Sequence, residues 1–106
     1  MPVVKMNVIS VPRERFGELE ERFRARAGEV DQQKGFLGFE LLRPQDGDRY
    51  IVYTKWETED DFLAWVQSPA FGLGHSAHSE QGPVATHSEL WRYDVVLETK
   101  PAPTSA

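Results

Sequence analysis

The chain has 106 residues, 40% of them hydrophobic, and a formal net charge of −5 at neutral pH. This length predicts one compact domain with a modest core. The acidic balance argues against nucleic-acid binding, because no basic cluster is available to neutralise phosphates. The chain has no cysteine, which excludes disulfides, thiolate metal sites and iron–sulfur clusters. No stretch has the pattern of a membrane span or a signal peptide, so we expect a cytoplasmic protein.

The first predicted strand covers residues 3–11, a β-branched run that Pro12 ends. Both of its alternating faces are largely apolar, which is typical of a strand that is covered on both sides. Asn7 interrupts this pattern, and a buried amide costs a few kcal/mol unless its hydrogen bonds are made. Asn7 is therefore either a hydrogen-bonded structural amide or a polar group directed into a ligand pocket.

The strongest helical pattern follows, over residues 13–33. Its apolar side chains recur at steps of three and four residues, which predicts one buried face: Phe16, Leu19, Phe23, Ala27 and Val30. Arg15, Arg22 and Arg26 form a separate ridge. Glu18 stands one turn before Arg22, which indicates a solvated ion-paired face; the alternative is that Arg22 or Arg26 meets a carboxylate of a ligand.

Two strands are predicted over residues 36–42 and 49–56, after Gly35 ends the helix. The Asp46-Gly47-Asp48 turn between them indicates a hairpin. A second helix begins after Thr58, whose hydroxyl can cap it.

A final strand is predicted over residues 87–98, and residues 100–106 form a tail rich in Pro, Ala, Ser and Thr that we expect to be disordered. The element order β-α-β-β-α-β predicts a ferredoxin-like α+β fold. We assign it to a single domain over residues 1–99.

The second helix carries the apolar residues Phe62, Trp65 and Val66 on one stripe. Ser68-Pro69 then breaks it and is suited to start a second, short helix, since Ser caps helices and Pro fits the first position. Core packing is one interpretation of this stripe.

The short helix has an unusual glycine content just before His75. Gly72 and Gly74 each cost about 0.5–1 kcal/mol relative to alanine in a helix interior. They also leave the local surface bare, so that a flat ligand can approach closely. This is the first indication of a binding function.

The histidines narrow the choice of ligand. His75 and His78 are three residues apart on one helical face, a spacing that permits zinc ligation, but the missing cysteines and HExxH pattern argue against a closed structural zinc site. His87 starts the last strand, where a surface role is expected. No GxSxG, P-loop or GxGxxG motif is present. An imidazole, an indole, a strand amide and bare glycine surface together suit a haem, with one axial nitrogen and apolar walls.

These residues carry a specific resemblance. The chain resembles the Isd-type haem-degrading monooxygenases, within the wider family of ferredoxin-like antibiotic-biosynthesis-type monooxygenases, over nearly all of its length up to about Glu98. The segments VVKMNVISVP, LEERFRARA and GFLGFELLRP look like the mycobacterial branch. The spacing in FLAWVQSPAFGLGH, with nine residues between Trp65 and His75, looks more like the staphylococcal branch.

The resemblance implies roles for three residues that match the family's functional positions. His75 would be the proximal axial ligand of the haem iron. Asn7 would donate a hydrogen bond on the distal side, toward the bound oxygen. Trp65 would press the macrocycle out of plane and direct oxidation to the meso carbons; packing in the core remains its alternative.

Four further residues are assigned to the haem-binding pocket by the same resemblance: Arg22, Phe23, Arg26 and Phe71. The implied activity is oxygen- and reductant-dependent degradation of haem, which serves as both substrate and oxygen-activating centre, with electrons from an external donor and release of iron. The implied assembly is a homodimer in which two sheets pack into a barrel. Strands that are apolar on both faces agree with this, because two helices cover only one face.

Three other functions remain open on the sequence alone. The first is a cofactor-free monooxygenase of polycyclic aromatic substrates, which needs an apolar pocket but no iron ligand. The second is a non-enzymatic haem carrier, which returns haem intact. The third is a structural dimer module without a ligand.

Overall fold

The computed structural model describes residues 1–26, 30–68 and 86–102. Their elements, in chain order, are β1 (Val3–Ser10), α1 (Phe16–Ala25), β2 (Phe36–Leu42), β3 (Arg49–Trp56), α2 (Glu59–Val66) and β4 (His87–Asp94). The strands form one antiparallel sheet in the order β2-β3-β1-β4. This confirms the predicted ferredoxin-like α+β fold.

The hairpin of β2 and β3 has the predicted bounds. Gly47 lies in its turn with φ 80°, a left-handed conformation that glycine adopts without strain. Gly35 precedes β2 with φ 77°, and a Cβ at that position would collide with the carboxylate of Asp61. Glycine at position 35 therefore lets α2 approach the start of β2 closely.

Helix α1 is shorter than the predicted helix over residues 13–33. Residues 13–15 form a single 3₁₀ turn, and the α-helix ends at Ala25. Arg26 leaves helical geometry at φ −110° and ψ 6°, and its N–H donates to the carbonyl of Phe23 at 3.1 Å. Val30 lies in a turn. The apolar periodicity continues past the end of the helix and does not report where it unwinds. Ala27, a predicted member of the buried face, lies outside the described residues.

Strand β4 ends earlier than predicted, at Asp94 rather than at residue 98. The last register pair that joins β4 to β1 is Asp94 with Val3, because β1 begins at Val3. One further bond, from the N–H of Val95 to the carbonyl of Pro2 at 2.9 Å, follows it. The partner strand thus determines where β4 stops. Residues 103–106 of the predicted tail lie outside the described residues.

The main core lies between α1 and one face of the sheet. Its buried members are Ile9, Val11, Leu19 and Tyr50. Phe16, Phe23, Leu41 and Val52 pack against them. Because side chains alternate along a strand, the odd-numbered residues of β1 face the helices. The opposite face of the sheet carries the even-numbered residues of β1, which include the buried Val4 and Val8.

A second cluster anchors α2. Trp56 at the end of β3 is completely buried. Its ring packs edge-on against the rings of Phe36 and Phe62, with distances between ring centroids of 5.6 Å and 6.2 Å respectively. Its indole N–H has no hydrogen-bond partner within the described part of the chain. None of the helices in the described ranges is long and apolar enough to cross a membrane.

Candidate functional site

Asn7 lies on the helix-covered face of the sheet, between the attachment points of the two helices. Its register partners are Val52 on β3 and Leu90 on β4. Two residues further along β1, Ile9 belongs to the core under α1. Two residues before it, Lys5 contacts α2 through a bond to Glu59. The carboxamide of Asn7 is therefore directed into the space that the two helices border.

The Asn7 side chain is half-buried, and no hydrogen bond engages it within residues 1–26, 30–68 and 86–102. Its amide atoms are not among the buried unpaired polar atoms of the described residues, so solvent or a ligand can reach them. Of the two interpretations of this residue, a structural amide would be satisfied by the surrounding chain. The described residues supply no such partner, which favours a polar group that meets a ligand or water.

Trp65 lies on α2, one turn after Phe62. The helix begins after Thr58, whose hydroxyl accepts a hydrogen bond from the N–H of Asp61 at 3.1 Å, as predicted for a cap. Trp65 is half-buried, and its carbonyl accepts a bond from the Ser68 hydroxyl at 2.7 Å. Phe62 contacts the buried Trp56. Trp65 is thus next to the stripe that attaches α2 to the sheet.

The two flanks of α1 differ in what they face. Glu20 and Arg24 lie on the flank toward β2 and β3, because Glu20 bonds Arg43 and Tyr50 there. At 100° per residue, Arg22 and Arg26 lie on the opposite flank, across the buried stripe. That flank is on the β1 side of the helix, which is also the side of Asn7.

The two arginines of that flank have protein partners. Arg22 donates to Glu18 at 3.3 Å with 15% of its side chain exposed, which is the ion pair that the sequence indicated. Arg26 lies over the ring of Phe23, with its guanidinium carbon 5.1 Å from the centroid. A ligand carboxylate can replace the present partners of these arginines. Both interpretations therefore remain: an ion-paired face of the helix, or contact with a carboxylate of a ligand.

Phe23 occupies the centre of the buried stripe of α1. Its ring stacks on that of Phe39 at 6.1 Å between centroids. It also lines an open cavity of about 390 Å³ on the β2 side of α1, together with Arg24 and Leu41. The position of Phe23 on the helix is therefore between the two flanks.

His75, His78 and Phe71, three residues of the predicted short helix, lie outside the described residues. The axial ligation by His75 and the pocket contact of Phe71 accordingly remain predictions from the sequence. His87 begins β4 on the surface, with Nε2 3.3 Å from a carboxylate oxygen of Glu89. In the ranges that the structure describes, no group of three or more His, Asp or Glu side chains could hold a metal ion.

A buried acidic group that the sequence analysis did not single out connects α1 to the hairpin. Both nitrogens of the Arg43 fork donate to Glu20 at 2.6 Å, and the Tyr50 hydroxyl donates to the same carboxylate. These bonds, above all that from Arg43, hold the pKa of Glu20 at about 2, against 4.5 for an unperturbed glutamate. Burial and the nearby carboxylate raise the pKa of Tyr50. Glu20 therefore fixes the flank of α1 that faces away from Asn7.

This network predicts acid-sensitive stability. Because the pKa of Glu20 is lower in the folded state, its contribution is complete above about pH 4.5 and is lost as the pH falls through about 2. Glu20→Gln is expected to lower the free energy of unfolding by about 1–3 kcal/mol at pH 7 and to flatten its decline in acid. Urea unfolding between pH 2 and 7 measures both effects.

Glu21→Gln is the matched control, because Glu21 is 75% exposed and pairs only with Arg24 at 2.7 Å among the described residues. It should change the free energy of unfolding by less than about 0.5 kcal/mol. Equal losses in the two variants would contradict the assignment.

Comparison with known proteins defines the class. Residues 2–77 match the model of the antibiotic biosynthesis monooxygenase family. The chain belongs to this family, as the residues around Asn7, Trp65 and His75 predicted.

Its relatives place it more narrowly. It is 48% identical over 99 residues to a heme oxygenase (mycobilin-producing) of Mycobacterium tuberculosis, which covers 92% of each chain. A solved structure of the heme-degrader MhuD from Mycobacterium tuberculosis, with two hemes bound in its active site, is similar with a TM-score of 0.77 and 44% identity, over 92% of this chain and 99% of that one. A cofactor-independent oxygenase from Streptomyces nogalater is similar with a TM-score of 0.75 and 25% identity, over 95% of this chain and 98% of the other.

Proposed function

We propose that this protein is a haem-degrading monooxygenase, which binds haem as its substrate, opens the porphyrin ring with O₂ and reductant, and releases iron. The chain is 48% identical to a heme oxygenase over 92% of both sequences, which supports this proposal. The structural observation that carries it is the carboxamide of Asn7 on the helix-side face of the sheet, between α1 and α2, which makes no hydrogen bond to the part of the chain that the structure describes. A flat ligand in that space would meet a polar group from one strand, the arginine-bearing flank of α1 and the indole of Trp65 from α2.

The roles of the site residues follow from this proposal. Asn7 donates a hydrogen bond toward the distal face of the haem, where oxygen reacts. Trp65 packs against the macrocycle from α2 and distorts it. His75 binds the haem iron as a neutral imidazole, which is the protonation state needed for ligation.

The other pocket residues supply charge and apolar surface. Arg22 and Arg26 lie on the Asn7 side of α1, where their cationic groups suit the two propionates of a haem. Phe23 and Phe71 supply aromatic contact from α1 and from the segment before His75.

The reaction also requires reducing equivalents. We propose that an external reductase or a small reductant supplies them and that the protein acts in the cytoplasm, where such donors are available.

The direct test is to add hemin and a reductant to the purified protein in air and to follow the Soret band. We expect the band to decay, with release of one iron per haem degraded. A band that persists with no iron released would refute the proposal and would favour a haem carrier, which returns the ligand intact.

The similarity to a cofactor-independent oxygenase favours one rival. In that function the same pocket holds a polycyclic aromatic substrate, and Asn7 and Trp65 orient it without iron. Oxygenation of such a substrate by the haem-free protein would distinguish this rival from the main proposal.

We also propose that the active protein is a homodimer. The face of the sheet turned away from the helices carries Met6 and Tyr53, next to Trp91 and Tyr93 of β4 in register. Trp91 and Tyr93 remain 39% and 51% exposed. A second copy that packs its own sheet against this face would bury them.

Trp91→Glu tests this assembly. Burying an unpaired carboxylate costs several kcal/mol, so we expect the dimer to weaken by at least about 100-fold, or about 2.7 kcal/mol. Sedimentation analysis over a range of concentrations measures the change. Leu63→Glu, at an equally exposed apolar residue of α2 (41%), is the control and should leave the dimer intact. A dimer that tolerates Trp91→Glu would exclude this face as the interface.

A further inference from the structure

Lys5 is a lysine in an unusual position. Only 4% of it is exposed, although lysine is almost never fully buried without a partner. It faces the helices from β1, two residues before Asn7 on the same face of the strand. The two residues are therefore about 7 Å apart along the strand. Nothing in the proposed chemistry uses Lys5.

Among the described residues, the ammonium of Lys5 contacts α2 at two points. Its Nζ lies 2.6 Å from a carboxylate oxygen of Glu59, the first residue of the helix. It also lies 4.9 Å from the centroid of the Phe62 ring, in cation–π geometry. One charge on β1 thus holds two points on α2 that are nearly a full turn apart.

Within residues 1–26, 30–68 and 86–102, no other ion pair joins α2 to the sheet. The helix spans eight residues, and none of them is buried. Phe62 reaches the buried Trp56 with its ring edge, but Leu63 is 41% exposed. Asp61 also lies against Gly35, just before β2, so these contacts tie α2 to β3 and to the start of β2. The Lys5 contact ties it in addition to β1, the strand of Asn7, and so helps to fix its rotation relative to that residue.

We infer that Lys5 is a positioning residue, which sets the rotation of α2 and so places Trp65 relative to Asn7. Trp65 follows Phe62 by three residues, so a rotation of α2 moves the indole directly. Because Lys5 and Asn7 belong to the same strand, the Lys5–Glu59 pair fixes the distance between the two sides of the pocket. This inference rests on the proposed haem degradation, in which the indole of Trp65 determines where the ring is attacked.

A purely structural ion pair would behave differently. Replacement of a buried pair by apolar side chains of similar volume is often neutral or stabilising. Lys5→Met removes only one member of the pair and leaves Glu59 without its partner, so a purely structural role predicts lower stability with unchanged chemistry. A positioning role instead predicts altered chemistry with haem binding preserved, because small displacements near the reacting atoms reduce rate strongly.

The test compares three variants. Lys5→Met removes the ammonium, and Glu59→Gln removes the charge of its partner at a surface residue that is 47% exposed. Asp60→Asn is the matched control, since it removes a neighbouring acid from the same first turn of α2 but does not touch Lys5. Glu59→Gln also keeps the test valid if Lys5→Met fails to fold.

Two measurements are made on each variant. In haem turnover, we expect Lys5→Met and Glu59→Gln to lower kcat about tenfold, to leave KM within about twofold, and to change the ratio of ring-cleavage isomers. In the haem-free protein, we expect hydrogen exchange of the α2 amides to become about tenfold faster. Asp60→Asn should match the wild type in both.

The proposal is overturned if Lys5→Met and Glu59→Gln keep the wild-type isomer ratio and exchange rates, or if Asp60→Asn changes them equally. A wild-type protein that leaves haem intact would defeat the proposed function and not this inference. In that case the exchange rates of α2 in the haem-free protein decide alone whether Lys5 holds the helix.

Discussion

His75→Ala is expected to abolish axial ligation of haem and to reduce ring opening to the background rate of free hemin. An axial nitrogen ligand supplies a large part of the binding free energy, so we expect haem affinity to fall by at least about 100-fold, or about 2.7 kcal/mol. Titration with hemin, followed by the Soret band, measures the affinity and the loss of ligation in one experiment.

His87→Ala is the control, because His87 is exposed on β4 and lies beside Glu89. Its haem spectrum should match that of the wild type. His78→Ala tests the nearest competing ligand, three residues beyond His75 in the sequence. An unchanged spectrum in His75→Ala, or loss of ligation in His78→Ala instead, would refute the assignment of His75.

Asn7→Leu is expected to lower the rate of ring opening by about 100-fold while haem still binds. Preorganised hydrogen-bond donors directed at developing charge typically contribute 10²–10³ in rate, and leucine has a similar size but no donor. Because the Asn7 carboxamide makes no hydrogen bond among the described residues, its removal should not lower stability. Single-turnover decay of the Soret band and thermal unfolding measure the two effects.

Asn7→Leu must lower the rate of ring opening without lowering the stability of the protein. A variant that loses several kcal/mol of stability would identify Asn7 as a structural amide after all. A variant that keeps the wild-type rate would remove Asn7 from the chemistry. Asn7→Ala, which opens space as well as removing the donor, shows whether shape contributes beyond the hydrogen bond.

Local sequence signals predicted the elements whose ends depend on nearby residues. The hairpin of β2 and β3 has the expected bounds because Gly47 and its neighbours define a turn and the strands on either side are apolar. The cap at Thr58 also depends on a nearby residue, because its hydroxyl accepts a hydrogen bond from the N–H of Asp61. The ends of α1 and β4 were wrong, because hydrophobic periodicity does not report where a helix unwinds or where a partner strand begins.

The contacts that fix the helices could not be predicted, because they join residues far apart in sequence. Lys5 and Glu59 are 54 positions apart, and Glu20 and Tyr50 are 30 apart. No local pattern identifies Glu59 as the partner of Lys5 or Tyr50 as a partner of Glu20. Pairing them requires the sheet register and the side of each helix that faces it.

For the site, the sequence suggested Asn7 as an outlier in an apolar strand, but alternation alone did not say which face it occupies. The strand order and the contacts of its neighbours Lys5 and Ile9 assign Asn7 to the face under the helices. Trp65 is on the predicted helix, one turn after Phe62. The position of His75 relative to both remains a prediction, as does the dimer.

Mass spectrometry of the chromophore tests the proposed function most directly. The protein is loaded with hemin under anaerobic conditions. Reductant and a measured amount of O₂ are then added, and the mass of the extracted pigment is measured. We predict a ring-opened tetrapyrrole that contains added oxygen and has lost its iron, and that is not formed by His75→Ala. Recovery of protoporphyrin with its iron and unchanged mass would contradict haem degradation by this protein.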